Sequence, residues 1–202
     1  MNTMNAAAAA FELGAFALFA CAAKRVSRTC GTNLTFAAPI PLLVLAVSLA
    51  LLLHTVPFGF WDAVRTAVFV AALTVCAISD WQTGYIFDAV SLPALAALLC
   101  IAILDRSILE ALVGSVLTAA PLLALFVITR GRGIGLGDAK LALCIGAAQG
   151  MRRGSLSLAI AFVLGGMFCV VLLIRGCARR GQEIRFAPFL ALGIGTVMVL
   201  GL

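Results

Sequence analysis

Charge is scarce in this chain: Asp, Glu, Lys and Arg make up only 11% of its 202 residues. A water-soluble domain needs a polar surface, and 64% hydrophobic residues with a mean hydropathy of +1.19 cannot supply one. Paired thiols are missing too. The cysteines at 21, 30, 76, 100, 144, 169 and 177 contain no C-x-x-C pair, and most lie inside apolar runs. They read as small buried hydrophobes, which excludes a four-thiolate metal site. The one histidine, His54, stands at the end of an apolar run and is read as incidental. Glycines 131, 133, 135 and 137 are followed by no G-K-[ST] and sit in no βαβ unit, so a phosphate cradle is not expected. The net charge of +6 falls in short clusters between apolar runs, not in a stripe, which argues against a nucleic-acid partner. Met1 to Ala10 carries no Lys or Arg, so the first apolar run lacks the basic start of a cleaved signal peptide. The faint lipoprotein-like box at Leu18-Phe19-Ala20-Cys21 is discounted for the same reason.

What is present is a series of apolar runs. A helix needs roughly 20 residues to cross a hydrocarbon core of about 30 Å. Runs over about 5–23, 37–56, 62–79, 86–104, 108–129, 155–174 and 186–202 qualify, and a shorter one runs from Asp138 to Gly150. The expected fold is an all-α, polytopic membrane helix bundle of about eight segments, one of them stunted and starting at Asp138. The positive-inside rule orients it. With the N-terminus outside, the inner loops carry Lys24, Arg25, Arg28, Arg130, Arg132, Arg175, Arg179, Arg180 and Arg185; the outer side receives Arg65, Arg106, Arg152 and Arg153. Trp61 and Trp81 bracket the third segment as interfacial anchors, which puts Asp80 near the inner headgroups and Asp138 on the same side.

Retaining a carboxylate in or near hydrocarbon is costly, so each one left there is a functional candidate. Asp62, Asp105 and Glu110 fall on the outer side, Glu183 lies in a basic loop as a solvated ion pair, and Glu12 is read as snorkelling outward. Asp80, Asp88 and Asp138 remain. Two carboxylates converging across helices can share one proton, one acting as general base on water while the other donates to a carbonyl, as amide hydrolysis requires. For Asp138 the bland alternative is a helix N-cap; for Asp80, a solvated residue ending its helix, although a helix C-terminus disfavours negative charge. Asp88 opens the fourth segment, where N-capping would account for it, with a role in positioning Asp80 left open. Lys140 cannot face the same way as Asp138 on an ideal helix, and snorkelling to the inner phosphates is its plain reading.

Three stretches carry a resemblance. Asp80-Trp81-Gln82-Thr83-Gly84-Tyr85-Ile86-Phe87-Asp88, ending in Leu92-Pro93, is similar to the first-aspartate signature of the type IV prepilin peptidases, an aspartate followed six residues later by Ile/Leu-Pro-Asn/Asp. Gly135-Leu136-Gly137-Asp138-Ala139-Lys140-Leu141 matches their G-x-G-D-x-K-L, and Phe186-Ala187-Pro188-Phe189-Leu190-Ala191-Leu192-Gly193 their F-x-P-F-L-x-x-G. Together they cover roughly residues 62–202, in the family's order. The resemblance implies a membrane-embedded aspartic peptidase that removes the short basic leader of prepilins or pseudopilins at the cytosolic face of the inner membrane. Asp80 and Asp138 would be catalytic, with Gly135, Gly137, Lys140 and Asp88 in support, no cofactor or metal, and membrane lipid as the surrounding partner. Residues 1–60 would hold two helices joined by a short basic cytosolic loop, and 61–202 the peptidase domain.

Two departures stand out. Phe87 replaces the family's proline before Asp88. Bifunctional members carry two C-x-x-C pairs between their first two helices, associated with zinc and N-methylation; here that interval, Lys24 to about Ala37, holds only Cys30. The chain therefore resembles the short, peptidase-only members. A membrane ion or solute transporter is the alternative from another class, but no inverted repeat is evident and both aspartates lie toward one face. A presenilin-like protease shares G-x-G-D yet has Tyr-Asp at its first aspartate and Pro-Ala-Leu near its end, where this chain has Ser79-Asp80 and Pro188-Phe189-Leu190.

Overall fold

The computed structural model describes residues 60–131, 133–175 and 185–200, and all regular structure among them is helical. The first two expected segments, with Lys24, Cys30, His54 and Glu12, lie outside the described residues, as do Arg132 and Glu183. Five helical elements follow: α1 Phe60–Thr83, α2 Asp88–Leu104, α3 Ile108–Ile128, α4 Leu136–Ile174 and α5 Ala187–Leu200. Three of them, α1, α3 and α4, are long and apolar enough to cross a membrane, while α2 and α5 are shorter apolar helices. The chain is a membrane protein. Leucine, valine, isoleucine and phenylalanine face outward along α3 and α4, as expected where lipid, not water, is the solvent. α1 is the central helix, with an unbroken buried stretch from Ala67 to Asp80. The two tryptophans are exposed at its opposite ends, Trp61 at 37% and Trp81 at 53%, where interfacial anchors belong.

α4 is where the structure adds most to the sequence. Its 39 residues are two arms that meet at Gly150, whose φ of 73° and ψ of −177° no helix contains. That left-handed φ is one glycine adopts without steric cost. The Ser157 hydroxyl donates to Gln149 Oε1 at 2.8 Å although the two are eight positions apart, and a Cβ added to Gly154 would lie 3.3 Å from the Gly146 Cα. On a straight helix eight positions span about 12 Å. The chain therefore doubles back at Gly150. The first arm, 136–149, is a stunted helix of roughly 20 Å, beginning two residues earlier than the sequence reading placed it. The second arm, 151–174, returns beside it.

Both arms pack on α3 through small residues. A Cβ on Gly114 would come within 2.6 Å of the Gly146 carbonyl oxygen and 2.7 Å of the Gly150 carbonyl carbon. Such close backbone approach is how helices associate where no hydrophobic drive separates them from lipid. At the end of the bundle that carries Phe60, Arg65 reaches from α1 to Asp105 and Ser107, with the Ser107 Oγ at 2.8 Å. Asp62, Arg65 and Asp105 thus gather at one end, and Asp80, Asp88 and Asp138 at the other.

Candidate active site

Asp80 lies inside the last turn of α1, which continues to Thr83, and Gly84 N–H closes the turn on the Asp80 carbonyl at 2.9 Å. It is only 6% exposed, so it is not a solvated helix end. Its Oδ2 accepts the backbone N–H of Ala187, the first residue of α5, at 3.3 Å, and Arg185 is within electrostatic reach. A carboxylate placed against the carbonyl-rich end of its own helix is thereby compensated by the amide-rich start of another.

Asp138 is the third residue of α4, and Gly135, not Asp138, is the N-cap. The carboxyl group turns back to the Gly135 N–H, the side-chain half of a capping box, and is half-buried within electrostatic reach of Asp80. The first turn of α4 is in direct contact with the turn that follows Asp80: a Cβ on Gly137 would stand 3.0 Å from the Ile86 Cβ in the α1–α2 turn. Gly137 is therefore a packing residue. Behind the acids lie two buried thiols, Cys76 one turn below Asp80, and Cys144, whose Sγ–H donates to the Ser91 carbonyl at 3.4 Å.

The sequence reading of Asp88 needs correction. Phe87 occupies the N-cap of α2 and no side chain caps that helix. Asp88 instead receives Lys140 Nζ on both carboxylate oxygens, at 2.7 and 2.8 Å, across 52 residues. Lys140 is accordingly an ion-pair partner, not a snorkelling residue. It points away from Asp138, as helical spacing requires, and ties the start of α4 to the start of α2. Phe87 itself is buried at 7% exposure within the core, so the side chain standing in the family's proline position is an apolar anchor for the turn. Among the described residues no three His, Cys, Asp or Glu side chains converge in a way that could hold a metal. Sequence reasoning did not find Ala187 or Arg185, because a backbone N–H leaves no signature and Arg185 was read only as a topology charge.

A helical membrane bundle with two carboxylates, one buried and one half-buried, on the terminal turns of two helices at one end defines a class of membrane-embedded proteins with an acidic pair. Residues 67–170, just over half of the chain, match the type IV leader peptidase family, and the chain belongs to it. It is 35% identical over 138 residues to the prepilin leader peptidase/N-methyltransferases of Burkholderia pseudomallei strains 1026b and K96243, a match covering 65% of this chain and 44% of each relative. The chain thus spans less than half the length of these curated relatives. No solved structure gives a significant match.

Proposed function

We propose that this protein is a prepilin-type leader peptidase whose chemistry is carried by Asp80 and Asp138. The observation behind this reading is the pairing of a buried and a half-buried carboxylate at one end of an apolar bundle, in a chain of the type IV leader peptidase family. The ionised member of the pair takes a proton from water as that water attacks the scissile carbonyl. The protonated member donates to the carbonyl oxygen, and as the C–N bond breaks a proton passes to the leaving amine. Like charges within electrostatic reach of each other disfavour ionising both, which keeps the two roles distinct.

The site lies at the cytosolic face of the inner membrane, within a peptidase domain of residues 61–202. The stunted first arm of α4 thins the bundle there and lets water reach a peptide bond. The substrate is a prepilin or pseudopilin with a basic leader in the cytosol, an apolar helix in the membrane, and glycine before the cut. Glycine is the residue that lets a backbone approach two carboxylates closely. The interval holding only Cys30 supports cleavage without zinc-dependent N-methylation.

Mass spectrometry of a prepilin incubated with the membrane-embedded protein tests all three statements. The expected product is cut after glycine and carries an unmodified N-terminus, and a substrate with a bulky residue in place of that glycine stays uncut. An intact wild-type prepilin would remove the peptidase reading, and a methylated product dependent on this chain would remove the single-function reading.

The Asp88–Lys140 pair supplies a second test. Because the Asp88 side chain is 57% exposed, the pair contributes at most about 1 kcal/mol to stability. Its value is geometric, since it fixes the α1–α2 turn relative to the helix carrying Asp138. Asp88→Lys and Lys140→Asp are each expected to slow leader cleavage by on the order of tenfold through misplacement of the acids. The double exchange should recover most of that loss. Cleavage rates that add, with no recovery in the exchanged pair, would show that the two residues act separately.

A further inference from the structure

Asp80 is the most deeply buried carboxylate among the described residues, and the group that holds it comes from the far end of the sequence. Its donor, the Ala187 N–H, is available for a stereochemical reason. At the start of α5 the Phe186 carbonyl takes the N–H groups of Phe189 and Leu190, at 3.0 and 3.1 Å. Pro188, between them and Ala187, has no N–H at all. The first turn of α5 thus presents one backbone donor toward Asp80, with no neighbouring donor competing for the same carboxylate. Ala187 is 0% exposed, so bulk solvent does not reach this bond from its side.

The rest of α5 is anchored so that this donor cannot drift. Phe186 packs against Phe162 with tilted rings whose centroids are 5.1 Å apart, and Phe189 against Phe168 in the same way at 5.4 Å. Gly193 sits so close to the second arm of α4 that an added Cβ would strike the Ser157 carbonyl oxygen. Four residues of the Phe186–Gly193 stretch thus serve one placement: Phe186 and Phe189 as aromatic anchors, Pro188 as a residue without an N–H at the turn, and Gly193 as the one that allows close contact.

We propose that the corner from Arg185 to Pro188 is the positioning element of Asp80. The Ala187 N–H pins Oδ2 and leaves Oδ1 as the oxygen that takes part in the chemistry. Arg185 and the amide-rich start of α5 supply the positive field that a buried carboxylate at a helix C-terminus otherwise lacks. The inference rests on the leader-peptidase reading above. It extends that reading by giving the C-terminal stretch a role in the reaction without contact with substrate.

The test removes one hydrogen atom's worth of interaction. Incorporating lactic acid in place of Ala187, by nonsense suppression in the full-length protein, turns the Phe186–Ala187 amide into an ester and deletes the N–H without adding bulk. Leader cleavage is then expected to show a kcat about tenfold lower, the loss typical of a hydrogen bond to a charged group. KM should stay unchanged, and the thermal unfolding temperature in detergent should fall by no more than the loss of one hydrogen bond and the weakening of the Phe186 carbonyl allow, with the protein folded at the assay temperature. Returning alanine at 187 by the same suppression restores the donor and should restore the native kcat. A native kcat in the ester variant, an equal loss in the alanine-returned protein, or a loss fully accounted for by unfolded protein at the assay temperature would each overturn the proposal. Asp80→Asn, run alongside, separates the two levels: if it cleaves normally, the catalytic pair itself is wrong, whereas an inactive Asp80→Asn with a fully active ester variant removes only the positioning role.

Discussion

Asp80→Asn and Asp138→Asn are each expected to abolish leader removal, with kcat lowered by four orders of magnitude or more, and the double variant should be no worse than either single one. Both substitutions preserve volume and hydrogen-bonding shape. Asn at 80 still presents an oxygen to the Ala187 N–H, and Asn at 138, inside the first turn of α4, still offers an oxygen to the Gly135 N–H. Insertion and folding should therefore survive, which isolates the chemical loss. An amide can neither accept a proton from water at neutral pH nor donate an acidic one, so half of the acid–base cycle disappears in either case. The ratio of precursor to mature pilin on a gel reads the outcome. Processing by either single variant above about 1% of the native rate would mean that the two carboxylates do not work as a unit.

Much of this arrangement is legible in the sequence, and the illegible part has physical reasons. Apolar runs near 62–79, 86–104 and 108–129 become α1, α2 and α3 with ends shifted by a few residues, because hydrophobic length is a local property. The Asp80 and Asp138 placements at one end of the bundle follow from the same counting. Asp88 was misread for the opposite reason: a local rule about helix starts was applied to a residue whose partner, Lys140, is 52 positions away. The break at Gly150 was visible as the end of a short run, but the reversal there depends on a backbone φ of 73° that composition does not encode. Ala187 stood within a recognised stretch, but its role was illegible, since its contribution is a main-chain donor and its side chain is only a methyl group.

The hairpin of α4 links these elements, and Gly146 is its weakest point. A Cβ at that position would collide with the Gly114 carbonyl oxygen and carbon and come within 2.6 Å of the Ser115 Cα, all of them backbone atoms of α3. A flexible side chain could swing aside, but a helix backbone moves only as a body. Gly146→Ala is therefore expected to destabilise the protein by about 3 kcal/mol, at the upper end for overpacking, even though alanine is the better helix former. Gly166→Ala provides the contrast: it lies in the second arm of the same element with nothing within 4 Å of its added Cβ, and propensity alone should stabilise it by roughly 0.5–1 kcal/mol. Thermal unfolding in detergent distinguishes the two, with the transition lowered at 146 and unchanged or raised at 166. Activity should follow at 146, because pushing α3 away displaces the first arm, which carries Asp138, and with it the second arm, against which α5 holds Asp80. A Gly146→Ala protein as stable and active as the native one would show that α3 and the hairpin do not meet backbone to backbone.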